Sequence, residues 1–440
     1  MKKGVVAVLV LLALVVLISP AIVGRLAERS MDESLAWAAQ ESGEVRVTSE
    51  NFSRGWFSSE GTHRVELRDG DLKSALVTLA GPIESDDELP VLVINTRLDH
   101  GLIPVSSMSR ERGSLEPGLG SAVSTLQLEF EDGELIDIPG TIYSKVGLAG
   151  ELLSNYILEP GSHSDGDTRA SWGPTEIEVK TDPKNGEAQF RGTVKSLSLD
   201  DGSEVVTLGM LTFAGDEQPT RHGIVVGDVH VELGDLSVTI DSVDLIVMPS
   251  MSLTGNTQLD GDEVNAIATM NTVVQNLPRA GDMTIDMVFE LLGADAELLG
   301  RVQQSAERAK SAQDPMALYE AAEKDLLGLF ASGFEMNLER FDFTLPEGTI
   351  TSRANFSFAA RDPADFAWTS LLMTTEASID IAISDAVMQL LLEEQPGAAM
   401  IIGGGYLVKR GDTYELKAEM RKGLLTVNGA PIPIPFGGMR

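Results

Sequence analysis

The chain has 440 residues, enough for two or three domains or one large elongated sheet structure, and its 43% hydrophobic content argues against global disorder. It carries 67 acidic against 33 basic residues, a formal charge of −34 that repels nucleic-acid phosphates and excludes nucleic acid as a partner. The absence of cysteine excludes disulfides, thiolate-bound metals, a thiol nucleophile and a lipid-modified N-terminal cysteine. With only 5% aromatic residues, packing must lean on Val, Leu, Ile, Ala and Met.

Residues 1–3, with Lys2 and Lys3, read as a cytoplasmic N-terminus. They precede an uncharged apolar run over residues 4–24. About twenty helical residues span a hydrocarbon core of roughly 30 Å, so this run predicts one transmembrane helix. The two lysines place the bulk of the chain across the membrane. Ser19, Pro20 and Ala21 also fit a cleavage site, but the apolar character continues through Ile22 and Val23 and favours an uncleaved anchor. Residues 25–42 predict an amphipathic helix or stalk, with Leu26, Met31, Leu35 and Ala38 at helical spacing.

From residue 43 the period of the pattern is two. Runs such as "PVLVINTRL", "STLQLEF", "TEIEVK" and "VHVEL", separated by Gly, Asp, Pro and Asn clusters, predict half-buried antiparallel strands. Asn185-Gly186 marks a hairpin. The spacers are too short for helical crossovers, which argues against a parallel sheet. Over residues 287–333 the pattern reads as helical, with Leu291, Leu292, Leu298, Leu299 and Val302 leading to a restart at Asp314-Pro315. Strands resume over residues 334–440, interrupted by a short helix at residues 385–394. The expected organisation is an N-terminal β-rich region (43–286), a helical segment (287–333) and a C-terminal β-rich region (334–440). The fold class is β-rich α+β: large curved antiparallel sheets with a few packed helices, preceded by one transmembrane helix.

No motif for nucleophilic, phosphate-binding or metal chemistry occurs. His163, Asp165 and Asp167 in "HSDGD" read as a solvated turn. Residues 259–265, "LDGDEVN", begin like a calcium loop, but Met270 and Asn271 stand where its last ligand is required. The expectation is a chain with no catalytic residue, no metal and no cofactor.

Three blocks carry a family resemblance: "NFSRGWFSSEG" with Arg54, Gly55, Trp56 and Phe57; "VLVINTRLDHG" ending in His100 and Gly101; and "GYLVKRGDTYELKAEMRKGLLTVNG" ending in Asn428 and Gly429. With the Lys-Lys start and the terminal "PIP", they resemble the YdgA-like family of bacterial envelope proteins. Leu102 departs from the proline that commonly follows His-Gly there. The resemblance implies an inner-membrane anchor and brings no catalytic residues. Taken alone, Trp56 and Phe57 fit core packing or a contact with a partner or lipid, and His100 fits a structural histidine.

These readings combine into an inner-membrane-anchored periplasmic protein without catalysis, acting as a scaffold or as a lipid-binding groove. The groove would form where strands such as "VHVELGDLSVTI" and "FEMNLERFDFTL" turn apolar residues to one face, partly covered by the helices of 287–333. Its partners would be the membrane, lipid or other envelope proteins. The alternatives are a partner-binding module in envelope maintenance and an envelope hydrolase.

Overall fold

Alternating side chains between tight polar turns fold here into antiparallel strands, 24 of them among the described residues. The structure, a computed structural model, describes residues 45–54, 58–67, 90–100, 120–130, 133–147, 149–165, 168–182, 184–240, 243–277, 281–310, 315–394 and 397–432. The apolar run 4–24, the amphipathic stretch 25–42, and Gly55, Trp56, Phe57 and Gly101 lie outside them. Among the described residues no helix is long and apolar enough to cross a membrane.

The chain divides into two compact units. The first holds residues up to Pro219 together with Val231–Asp244, and the second holds Thr220–His230 together with Leu245–Arg440.

In the first unit β1 (Val45–Arg54), β2 (Ser58–Leu67), β3 (Val91–His100), β4 (Gly120–Glu129), β5 (Leu135–Val146) and β6 (Leu152–Leu158) pair in chain order. A detour through β7 (Gly161–Asp165) and β8 (Thr168–Trp172) returns as β9 (Thr175–Asp182) beside β6, followed by β10 (Glu187–Val194). A second detour, β11 (Leu197–Asp200) and β12 (Glu204–Leu208), precedes β13 (Met210–Pro219), which pairs with β10. The detour strands form their own ribbon, β7–β8–β11–β12, which continues to β14 (Val225–Ile240). Leu92, Leu128, Leu158, Ile177 and Phe213 form the core, and Trp172 of β8 and Val231 of β14 pack against it. The Asn185-Gly186 turn joins β9 to β10: Gly186 takes φ +75° and its N–H donates to the Asp182 carbonyl at 2.8 Å.

The second unit is a longer meander. β15 (Val243–Asp260), β16 (Glu263–Leu277) and β17 (Gly281–Asp295) lead into helices α1 (Ala296–Lys310) and α2 (Pro315–Ser332). Strands β18 (Phe334–Leu345) and β19 (Gly348–Phe358) follow, then α3 (Trp368–Thr374), β20 (Thr375–Ser384), α4 (Asp385–Glu394) and α5 (Ala398–Gly403). The unit closes with β21 (Val408–Arg410), β22 (Thr413–Arg421), β23 (Leu424–Val427) and β24 (Ala430–Ile432). The sheet order is β15–β16–β17–β18–β19–β20–β22, with β21 and β23 on the other edge of β22.

The expected β-rich, antiparallel architecture is present. The helical segment is shorter than the pattern suggests, because residues 287–295 continue β17 and α1 begins at Ala296. A bulge explains the discrepancy. Ala266 of β16 faces Leu291 and Val264 faces Ala294, so an extra residue at Leu292–Gly293 breaks the alternation and mimics helical spacing. Asp295 then caps the helix, its Oδ1 accepting from the Leu298 N–H at 2.9 Å. The units also divide inside β14 and β15, not at the helices. The predicted helix at 385–394 coincides with α4, while α3 and α5 went unread.

One carboxylate on the inner face of the first unit has a pH consequence. Glu217 of β13 follows Phe213 and Gly215 on that face and sits opposite Ala188, where burial pushes its carboxyl above the ordinary 4.5. A raised carboxyl favours the folded chain when protonated, so this contribution is lost as pH rises from 4.5 through the raised value. Glu217→Gln should therefore raise the melting temperature at pH 7 and leave it unchanged at pH 4. Equal melting shifts at both pH values would contradict this.

Candidate functional site

The register of the second unit sorts its side chains onto two unlike faces. One face is polar and paired across strands. Arg353 of β19 makes two hydrogen bonds to Asp342 of β18, at 2.5 and 3.1 Å, and Asn271 reaches Asp286. Asn337 donates to Glu290 and accepts from Asn355. The Asp342 carboxylate pushes the Arg353 guanidinium above its usual range.

The other face is apolar. Met270 of β16 lies opposite Met287 of β17, which lies opposite Phe341 of β18, while Phe289 lies opposite Leu338. Phe343 continues the row beside Ile285 and contacts Phe341 edge-on, with ring centroids 4.7 Å apart. Leu338 and Phe341 are three apart, which would put them on opposite faces of a regular strand. A bulge at Glu339–Arg340 returns both to the apolar side. By this register β16, β17, β19 and β20 place no charged residue on that face. Six of the 16 methionines lie on it: Met251, Met270, Met283, Met287, Met336 and Met420.

Helices cover this face at two places. At one end Leu298, Leu299 and Val302 of α1 and Leu329 of α2 pack around Val264, Phe334 and Phe358. At the other, Val387, Met388 and Leu391 of α4 and Ile402 of α5 pack on Ile350, Ile383 and Leu416. The strip between them, with Met270, Met287, Leu338, Phe341 and Phe343, belongs to neither cluster and is only half-buried, and Phe289 is 36% exposed. Length explains the gap. A 15-residue strand such as β16 reaches about 50 Å, whereas the 15-residue α1 reaches about 22 Å. The β14 stretch expected to share this face falls mainly in the first unit, and the β18 stretch in the second.

The structure places four of the eight signature residues. Arg54 ends β1 opposite Ser59, and His100 ends β3 opposite Gly120. Ser59 in turn pairs with Leu98, so Arg54 and His100 sit at the same end of the first unit's sheet. Asn428 and Gly429 belong to the second unit and form the two-residue turn between β23 and β24, with φ of +50° and +81°. That pair of positive angles is the hairpin geometry Asn-Gly favours. Asn428 also repairs a gap in the sheet. β21 pairs with Thr413–Glu415 and β23 with Ala418–Arg421, leaving Leu416 and Lys417 between them. The Lys417 N–H donates to Asn428 Oδ1 at 2.9 Å, and the Asn428 N–H donates to the Lys417 carbonyl at 2.7 Å. Asn428 Nδ2 then donates to the carbonyls of Gly405 and Tyr406, at 3.1 and 3.0 Å.

A family profile described as a bacterial protein of unknown function (DUF945) matches residues 1–435. The chain belongs to this family. It is also 24% identical to Protein YdgA of Escherichia coli K12 over 238 residues, which is 50% of this chain and 44% of that protein. No solved structure matches.

Residues 259–265, the stretch resembling a calcium loop, turn out to be the β15–β16 hairpin turn. There Asp262 pairs with Arg221 and lies 3.3 Å from His222 Nε2. Arg221 first and His222 second hold the Asp262 carboxyl below its usual range. Among the described residues no group of three or more His, Asp or Glu side chains is arranged to hold a metal. His163 sits exposed on β7.

The task of Asn428 is not legible in the sequence, because the Gly405 and Tyr406 carbonyls it binds are over twenty residues away. Asn428→Ala removes three side-chain hydrogen bonds and strains a left-handed backbone, which should cost about 2–4 kcal/mol. Asn428→Gly keeps the backbone angle and should cost about 1–3 kcal/mol. Denaturant unfolding should rank the alanine variant lowest, with faster amide exchange over 404–408. An alanine variant as stable as the parent would refute the clamp.

Proposed function

We propose that this chain is a non-catalytic envelope protein, tethered to the bacterial inner membrane by residues 4–24, whose second unit shelters acyl chains on its uncovered apolar sheet face. The observation that carries this reading is the half-buried strip between the two helix-covered ends of that face. Monomeric proteins seldom expose large contiguous apolar patches without a use for them. Each methylene an acyl chain removes from water contributes about 0.8 kcal/mol, so affinity needs no polar specificity group. The methionines favour the same ligand class. Their flexible, polarisable side chains adapt to apolar partners of varying length and shape.

The tether rests on Lys2, Lys3 and the uncharged run behind them. Alkaline phosphatase fused to the C-terminus should be active, and the mature protein should retain its N-terminus. An inactive fusion, or a chain beginning at Ile22 in the soluble periplasm, would remove the tether. For the sheet face, a photoreactive amino acid should replace Phe341 or Met287 in the full chain in cells, with Thr351 on the polar face as control. Irradiation should give adducts of phospholipid mass at 341 and 287 and none at 351. Protein adducts at 341 would favour the partner-binding reading, and no adduct at either position would leave a scaffold.

A further inference from the structure

The second unit carries another apolar feature, at the α5 end of the sheet. Residues 397–408, "GAAMIIGGGYLV", contain no charge in a chain of formal charge −34. The segment is held firmly from below: Ile402 packs into the core formed with Val387 and Met388, and Leu407 is buried there. Backbone bonds close the turn, Gly404 N–H to the Met400 carbonyl at 2.8 Å and Tyr406 N–H to the Ile401 carbonyl at 3.1 Å. Asn428 clamps it from the side through the Gly405 and Tyr406 carbonyls. So anchored, the segment turns its apolar side chains outward. Met400 is 76% exposed, Ile401 45% and Tyr406 44%.

A rigid scaffold that presents Met, Ile and Tyr to solvent pays a hydration penalty unless something covers them. The surrounding charge indicates what does. From Lys409 to Lys422 there are five basic and three acidic residues, the reverse of the chain's overall balance. Lys409, Arg410 and Lys417 are all exposed. Their acidic neighbours are Asp385, 2.7 Å from Lys409, and Glu415, 3.7 Å from Arg410 and 3.9 Å from Lys417, with Asp380 of β20 opposite Lys417, Glu419 two residues along β22, and Asp412 in the turn between β21 and β22. An uncharged apolar tip bearing a tyrosine and backed by lysine and arginine matches the layering of a bilayer interface. Apolar groups reach the acyl boundary, the tyrosine lies at headgroup level, and cations meet anionic phosphates. The six-residue α5 is about 9 Å long, comparable with the roughly 5–10 Å depth of interfacial insertion.

We infer that Met400, Ile401 and Tyr406 form a docking tip that inserts into the headgroup region of an anionic phospholipid bilayer. This goes beyond the acyl-chain reading of the sheet face and does not depend on it, since the tip docks whether or not the strip holds lipid.

The cysteine-free sequence makes the test direct. Met400→Cys in the full chain gives a single site for a polarity-sensitive fluorophore, and Met210→Cys, exposed in the first unit, serves as control. The chain is reconstituted into vesicles of phosphatidylethanolamine and phosphatidylglycerol, or of phosphatidylcholine alone. The label at 400 should emit to the blue and be quenched by brominated lipid in the anionic vesicles, with a smaller shift in phosphatidylcholine and none at 210. Arg410→Gln with Lys417→Gln should abolish the difference between the two lipid mixtures. A label at 400 as water-exposed as that at 210 would overturn the inference, as would the same blue shift without lipid, which would indicate cover by the chain itself or by a second copy. A chain that does not float with the vesicles fails the tether reading separately, and the same label is then read on vesicles added to the soluble chain.

Discussion

A sheet must bury one of its faces, and in the second unit the strands outrun the helices available to cover them. That mismatch of length organises much of what the unit presents. Helical residues advance less than half as far as extended ones, so α1 and α2 seal one end of the apolar face and α4 with α5 seal the other. The strip between the seals keeps the same alternation and the same composition as the sealed parts. Its incomplete burial therefore follows from coverage, not from a change in the residues. The polar face needs no cover, because its carboxylates, amides and Arg353 satisfy one another across neighbouring strands.

Much of this was legible in the sequence, and the parts that were not share a physical cause. Clean alternation marked β3, β4 and β9, and the Asn185-Gly186 pair marked a real turn. Residues 287–295 were misread because a bulge at Leu292–Gly293 replaces period two with a spacing that a helix would also produce. The odd step from Leu338 to Phe341 has the same origin, and only the register shows that both side chains reach one face. Helices α3 and α5 are too short for a periodic signal to emerge. The sequence suggests an apolar face only partly covered by helices. Which strands bear it was not legible, since one of the two stretches expected to share it falls mainly in the other unit.

Asn428 shows how a turn residue can serve architecture. Asn428 combines a left-handed backbone, which favours Asn or Gly, with three side-chain hydrogen bonds that only an amide of its reach supplies. Glycine meets the first demand and aspartate the geometry of one bond, but neither meets both. The clamp fills the break in the β22 edge and fixes the carbonyls behind Tyr406. A residue that looks like a turn former thus sets the posture of the exposed Tyr406.

Charge sharpens the distinction between the two apolar features. A formal charge of −34 keeps most of this surface away from anionic headgroups, so general adhesion to such a membrane is disfavoured. The docking proposal therefore restricts contact to places where the local balance reverses, such as residues 409–422 behind α5. The strip on the sheet face has no such reversal and no charge of its own in β16, β17, β19 or β20, so it has nothing with which to recognise a headgroup. A surface that recognises headgroups and a surface that accepts only chains are different instruments. On the two proposals made for them, one unit separates where a lipid surface is met from where an apolar tail is held.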